Sequence, residues 1–298
     1  MFDKSVKSPE DIEDADISFL TWIPEIASFN TTGKFSELIV ADETNTIASD
    51  AFKSLRTIIR YAKIDGNAKV ILVTSSAPSE GKSLVSLNLA GSFAQARNKT
   101  VIIDCDLRRP RIHNMVGLTR IPGFTDYLVG KCSYEDLFKK TSIEDLFVVP
   151  AGTIPPNPTE LLDSKGMKSF LNRLRNDFNI VILDSPPLVT LADSIILSRI
   201  VDETVLVAMA NKTDLDLVKK SVEQLKKIEE PTFIGVLLNK FNLKNNYGSY
   251  YYKYAYTYSR NGNHKNKSIF AKQKSNGKTH IDEKGNSVDI KTEDIPSN

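Results

Sequence analysis

The stretch from Val70 to Ala90 constrains this chain more than any other. Val70-Ile71-Leu72-Val73-Thr74 is a β-type apolar run. Ser75-Ser76-Ala77-Pro78-Ser79-Glu80-Gly81-Lys82-Ser83 follows it, and then the helical run Leu84-Val85-Ser86-Leu87-Asn88-Leu89-Ala90. Strand, small-residue loop and helix in that order form the setting of a phosphate-binding loop. The nucleotide-binding segment Ala77-Pro78-Ser79-Glu80-Gly81 would surround the β- and γ-phosphates with its backbone N–H groups, aided by the positive end of the helix. Lys82 would reach the same oxygens, and Ser83 would offer its hydroxyl to Mg²⁺. The full pattern carries a Gly where this chain has Ser76, so the match is to the Gly-Lys-Ser end only.

Beyond this unit, apolar runs and amphipathic runs alternate. Strands are predicted at Lys69–Thr74, Thr100–Ile103, Leu146–Val149, Asn179–Leu183, Glu203–Ala208 and Phe233–Asn239. Helices are predicted near 49–61, 82–97, 159–176, 192–200 and 214–229, the first capped by Ser49 or Asp50. Several strands are apolar throughout, as strands buried on both faces are. The fold class is therefore α/β, a mainly parallel sheet flanked by helices. In such sheets ligands bind at the carboxyl ends of strands, and two such ends are acidic. Val101-Ile102-Ile103 runs into Asp104-Cys105-Asp106, and Val181-Ile182-Leu183 runs into Asp184-Ser185-Pro186-Pro187. A single aspartate there is ordinarily a helix cap. Three, at consistent places beside a phosphate loop, point to nucleotide and Mg²⁺ binding.

The ends of the chain differ from its middle. Residues 1–50 carry three Lys against eleven Asp and Glu, a net of −8. They read as an acidic, extended leader (1–48) able to pack on a domain surface through a few apolar anchors: Phe19, Leu20, Trp22, Ile23 and Ile26. Residues 240–298 carry eleven Lys and Arg against five Asp and Glu, a net of +6. The globular part is expected over 49–242, with a disordered polar tail over 243–298. The two cysteines, Cys105 and Cys132, match no zinc or redox spacing. No apolar run approaches the ~20 residues of a membrane-spanning helix. Seven of the ten tyrosines fall within twelve residues of the tail: Tyr247, Tyr250, Tyr251, Tyr252, Tyr254, Tyr256 and Tyr258. Alternation over 250–258 would suit a strand, but the intervening residues offer no strong apolar face.

Taken together, these residues resemble the bacterial tyrosine kinases of the capsular and exopolysaccharide family. That family's Gly-Lys-Ser loop corresponds to Gly81-Lys82-Ser83, and its second motif to Val101 through Pro110, with Asp104, Asp106, Arg108 and Arg109. The end of its Walker B strand corresponds to Asp184 with Pro186-Pro187. Its Gly-x-x-Pro-Pro-Asn-Pro-x-Glu-Leu-Leu run reads Gly152-Thr153-Ile154-Pro155-Pro156-Asn157-Pro158-Thr159-Glu160-Leu161-Leu162. The resemblance spans roughly 48–258. The partitioning and cell-division-site ATPases share the fold, but they place a lysine where this chain has Ala77 and lack a terminal tyrosine cluster.

The resemblance implies an autophosphorylating protein-tyrosine kinase that uses ATP and Mg²⁺ and regulates polysaccharide polymerisation and export. Lys82, Asp104, Asp106 and Asp184 would be catalytic, with Ser83, Asp106 and Asp184 at the metal. Asp104 is favoured over Asp106 as acceptor of the tyrosine proton, and the division between them stays open. So does the choice for Arg108 and Arg109 between contact with phosphate or tail and plain surface exposure. The seven clustered tyrosines would be acceptors, phosphorylated between subunits of a ring. The ring motif Glu-x-x-Arg-x-x-Arg appears as Asp50, Lys53 and Arg56. Expected partners are further copies of the chain, a tyrosine phosphatase, and a membrane chain-length regulator fused in cis or supplied as a separate chain. Nucleic acid is not an expected partner. The expected location is the cytoplasmic face of the plasma membrane, with the leader juxtamembrane. The competing reading is a nucleotide-switched assembly ATPase or scaffold whose tyrosines only bind partners.

Overall fold

The computed structural model describes residues 3–26, 37–41, 46–62, 69–189, 192–228 and 232–242. The tyrosine cluster and the rest of the expected tail lie outside the described residues. From the N-terminus, α1 (Pro9–Glu13) and β1 (Phe19–Pro24) precede α2 (Thr46–Ala62), β2 (Val70–Ser75), α3 (Lys82–Gln95) and β3 (Thr100–Asp104). Next come α4 (Ile112–Met115), α5 (Phe124–Leu128), β4 (Lys139–Lys140) and β5 (Leu146–Val149), then α6 (Pro158–Leu162), α7 (Lys165–Asp177) and β6 (Ile180–Asp184). The last elements are α8 (Asp193–Ser198), β7 (Glu203–Met209), α9 (Leu215–Lys226) and β8 (Phe233–Phe241).

One eight-stranded sheet runs β1-β8-β7-β2-β6-β3-β5-β4. Every pairing is parallel except β4 with β5. The period of two sends alternate side chains to opposite faces. Ile71 and Val73 of β2, Ile102 of β3 and Ile182 of β6 enter the core beneath α2 and α3. Val70, Leu72, Val101, Ile103, Val181 and Leu183 face the opposite core with Phe124, Phe170 and Leu174. Both faces are covered, which is why these strands are apolar throughout. α3 is buried over most of its circumference, since the segment Leu38–Val40 crosses it. Gly91 permits that crossing, because a Cβ there would lie 2.7 Å from Val40 Cγ2. Asn88 fixes the same crossing by accepting from Val40 N (3.1 Å) and donating to Glu37 O (2.9 Å).

All six predicted strands form, each within two residues of its expected ends. The helix expected over 159–176 is two helices, because Ser164 caps a new start by accepting from Met167 N at 3.1 Å. The helix expected from 49 begins at Thr46. The main difference is a strand within the leader. The leader's described part is structural: Val6, Ile12 and Ile17 are buried against α9 and β8, and β1 pairs parallel with β8 as an edge strand. Local pattern does not announce β1, since Leu20, Trp22 and Ile23 break alternation; pairing with β8 decides it. Short β4 also went unanticipated. Among the described residues no helix is long and apolar enough to cross a membrane.

One polar junction ties three elements at the amino edge of the sheet. Asp202 accepts from Lys69 N and Val70 N (2.8 Å each) and takes a two-point contact from Arg175 at 2.7 and 2.9 Å. Desolvation pushes its carboxyl up, but the Arg175 guanidinium and the two backbone N–H groups outweigh it and hold the group below the usual carboxylate range. A depressed folded value means stability that is present above the unfolded pKa of about 3.9 and lost as pH falls further. Asp202→Asn should cost about 1–2 kcal/mol at neutral pH. In urea melts the gap between wild type and variant should shrink below about pH 4; a gap independent of pH would contradict this assignment.

Candidate active site

β2 delivers the chain into a loop shaped by two left-handed residues, Ser79 at φ 65° and Gly81 at φ 89°. Ser76 is not among the positive-φ residues, so the loop has no need of glycine there. This explains why the motif survives its departure from the full pattern. A Cβ at Gly81 would collide with Asn239 Nδ2, which donates to Glu80 O at 2.8 Å. Glu80, although ionisable, is buried. Its carboxylate accepts from Ala77 N at 2.8 Å and from the buried Thr213 hydroxyl, which in turn accepts from Met209 N at 2.8 Å. The loop is thus braced from behind, leaving the start of α3, with its unpaired N–H groups, directed at the site.

Four charged side chains meet in front of it. Lys82 Nζ lies 2.8 Å from Asp106 Oδ2 and 3.8 Å from Asp184 Oδ2. Ser83 donates to Asp184 Oδ2 (2.7 Å), and Ser86 donates to Asp184 Oδ1 (2.9 Å). Asp104 Oδ2 accepts from Arg111 N (2.8 Å) and Ile112 N (2.9 Å), while its Oδ1 is buried and, among the described residues, has no partner. β3 and β6 pair with Asp104 opposite Asp184, so parallel register brings the two carboxylates together. Burial, and then the neighbouring Asp184, push the Asp104 carboxyl up. Burial also raises Asp184, against the pull of Lys82 and the hydroxyls of Ser83 and Ser86. For Lys82, burial opposes the charged form, but Asp184 and Asp106 overcome it and hold the ammonium charged.

All of the expected phosphate-loop, catalytic and metal residues therefore converge. Three carboxylates face one lysine, so the site has an excess of buried acidity and an orphan oxygen on Asp104. Hydroxyl and carboxylate oxygens are hard donors of the kind Mg²⁺ takes, one or two at a time alongside phosphates. The residues therefore fit Mg²⁺ with a nucleotide. Among the described residues no group of three or more His, Cys, Asp or Glu is arranged to hold a metal.

Sequence comparison gives this geometry a context. The CobQ/CobB/MinD/ParA nucleotide binding domain matches residues 71–265. The putative tyrosine-protein kinase CapB of Staphylococcus aureus is 36% identical over 219 residues, covering 74% of this chain and 95% of that one. The chain belongs to the bacterial tyrosine-protein kinases. Among solved structures, the chimerical protein CapA2B2 aligns with TM-score 0.72 and 34% identity, over 79% of this chain and all of its own. The kinase domain of the Escherichia coli tyrosine kinase Etk aligns with TM-score 0.74 and 27% identity, over 80% of this chain and 96% of its own.

Other expected residues of this kinase fare differently. Asp50 and Lys53 form a half-exposed ion pair at 2.9 Å. Arg56 does not continue their row outward; it donates to Ser92 O (2.5 Å) and Ser92 Oγ (3.3 Å) on α3. The acceptor tyrosines lie outside the described residues. Ser86, Thr213 and Asn239 were missed by sequence reasoning. Ser86 was findable, being one turn after Ser83 on the same helix face. Thr213 and Asn239 approach from distant strands and carry no local signal.

Two outcomes follow. Ser86→Ala strips a donor from a buried carboxylate and should cost about 1–3 kcal/mol in urea unfolding, with weaker Mg·nucleotide binding by fluorescence titration. Burial pushes Glu80 up to about 7, against the Ala77 N–H and the Thr213 hydroxyl. A raised folded value gives stability that is complete below the unfolded pKa of about 4.3 and lost as pH rises through about 7. Glu80→Gln should remove that slope, so the variant gains on wild type between those pH values; parallel urea midpoints would contradict it.

Proposed function

We propose that this chain is an ATP-dependent autophosphorylating protein-tyrosine kinase whose acceptors are Tyr247, Tyr250, Tyr251, Tyr252, Tyr254, Tyr256 and Tyr258, and that it regulates capsular or exopolysaccharide polymerisation and export. The observation that carries the reading is the half-satisfied Asp104: one oxygen is fixed by two backbone N–H groups and the other is partnerless beside Lys82 and Asp184. A carboxylate with raised proton affinity, immobilised and with a vacant lone pair, suits a general base. It would take the tyrosine hydroxyl proton as the oxygen attacks the γ-phosphorus. Asp106, engaged by Lys82, is less free for that task. Lys82 would neutralise the β/γ oxygens, and the braced loop from Ala77 to Ser83 would orient them. Mg²⁺, held by Ser83 and Asp184 with Asp106 alongside, would supply further charge neutralisation.

Transfer between subunits of a ring is part of the proposal. Asp50 and Lys53 remain available on α2 for a neighbouring copy, whereas Arg56 would have to leave Ser92 to join them. β8 ends on the same edge of the sheet as β3, so contour length alone does not separate transfer within a chain from transfer between chains. The proposal takes in, as the family resemblance implies, the second mode, a membrane chain-length regulator in cis or as a separate chain, a phosphatase that resets the tyrosines, and a position at the cytoplasmic membrane face.

Incubation with Mg·ATP and an activating partner should place phosphate on the clustered tyrosines, read by mass spectrometry. Lys82→Met should abolish it, and unmodified tyrosines in wild type would sink the kinase reading. Tagged Lys82→Met chains mixed with untagged wild type should become labelled; label confined to the untagged chain would establish transfer within one chain.

A further inference from the structure

The two arginines after Asp106 are not equivalent. Arg109 is exposed, and among the described residues only its backbone N–H is engaged, by Asp106. Arg108 is held. Its Nε donates to Asp193 Oδ2 at 3.3 Å, and its Nη2 donates to Thr159 Oγ1 at 3.4 Å. Asp193 is 1% exposed and also accepts from Thr159 Oγ1 at 2.6 Å. The side chains come from three loops at the carboxyl edge of the sheet. Arg108 follows β3, Thr159 opens α6 after β5, and Asp193 opens α8 after β6. A buried carboxylate shared between a hydroxyl and a guanidinium fixes the plane of that guanidinium. The Nε–Nη2 edge is used inward, and among the described residues Nη1 has no acceptor. The side chain is 42% exposed, two residues from the Asp106 that touches Lys82.

Resting on the kinase reading above, we propose that Arg108 is a catalytic residue that contacts the phosphoryl group from the tyrosine side, and that Asp193 and Thr159 are positioning residues that aim it. In transfer, the bond from the γ-phosphorus to the oxygen of the departing ADP breaks and ADP keeps the electron pair. A bond from phosphorus to the tyrosine oxygen forms, and the hydroxyl proton goes to Asp104. Negative charge on the equatorial oxygens persists from donor to product. Lys82 meets it from the nucleotide side. Arg108 meets it from the acceptor side, through Nη1, and retains contact with the phosphate once it is on tyrosine. Arginine suits this task because its planar fork can hold a carboxylate on one edge and a phosphate on the other. None of Arg108's side-chain partners lies on the phosphate loop, so its loss would spare nucleotide binding.

The test uses the full chain loaded with Mg·ADP and two synthetic peptides covering residues 247–258, one with phosphotyrosine at Tyr252 and one without. Binding is read by fluorescence anisotropy, beside turnover with Mg·ATP and thermal melting. Arg108→Ala should weaken the phosphopeptide about 10- to 100-fold and leave the unmodified peptide within about two-fold. Arg108→Lys keeps the charge without the fork and should recover part of the loss. Asp193→Asn and Thr159→Val should reproduce the Arg108 defect more weakly, with kcat for peptide phosphorylation reduced and KM for ATP unchanged. If Arg108→Ala is too unstable to purify, the lysine and valine variants carry the comparison. Equal weakening of both peptides, or no weakening, would overturn the proposal and leave the cluster a clasp between loops. The binding arm needs no turnover. Absence of tyrosine labelling in wild type therefore counts against the kinase reading alone, while phosphopeptide discrimination decides Arg108.

Discussion

The ion cluster of Lys82 with Asp104, Asp106 and Asp184 sets the terms for everything around it. Lys82 is 12% exposed, and Asp184 is fully enclosed. Taking such charges out of water costs several kcal/mol each, and their mutual attraction offsets this only with good geometry and added hydrogen bonds. The fold supplies both. Ser83 and Ser86 satisfy Asp184, two backbone N–H groups satisfy half of Asp104, and Lys82 is shared by two carboxylates. The unsatisfied remainder is concentrated on Asp104 Oδ1, where chemistry needs a proton acceptor. Parallel pairing of β2, β6 and β3 makes this possible, because only parallel strands end together on one edge.

Behind the cluster lies a second layer that holds the phosphate loop. Glu80, Thr213 and Asn239 link the loop after β2 to the end of β7 and to β8. The start of the chain is attached to the same region. Val6 N donates to Thr213 O, Asn211 N donates to Val6 O, and Leu215 N donates to Lys4 O. The acidic leader is therefore bonded to the segment that carries Thr213. Its described part is integral to the sheet and shares the core of α9.

Much of this was legible in the sequence because it is local. The apolar runs, the helix after Lys82 and the aspartates at strand ends each lie within a few residues of their own signal. Ser79 and Gly81 show where local reading stopped short. The pattern marks glycine at the position of Ser76, yet the backbone needs left-handed residues elsewhere. Arg56 shows the same limit on a helix: spacing aligns it with Asp50 and Lys53, but a carbonyl of α3 one layer inward captures its guanidinium. β1 gave no periodic signal because an edge strand is specified by its partner.

Residue type at short spacing encodes the phosphate loop, the acidic strand ends and the alternation that makes a parallel sheet. Which groups are paired and which are left wanting follows from the packing of the sheet. Asp104 keeps a bare oxygen, Glu80 is buried under Thr213, Arg108 is aimed by Asp193 and Thr159, and the leader joins the sheet. Each depends on residues that are distant in the chain, often by thirty positions or more. Burial and hydrogen-bond partnership are properties of the packed sheet that no single segment contains.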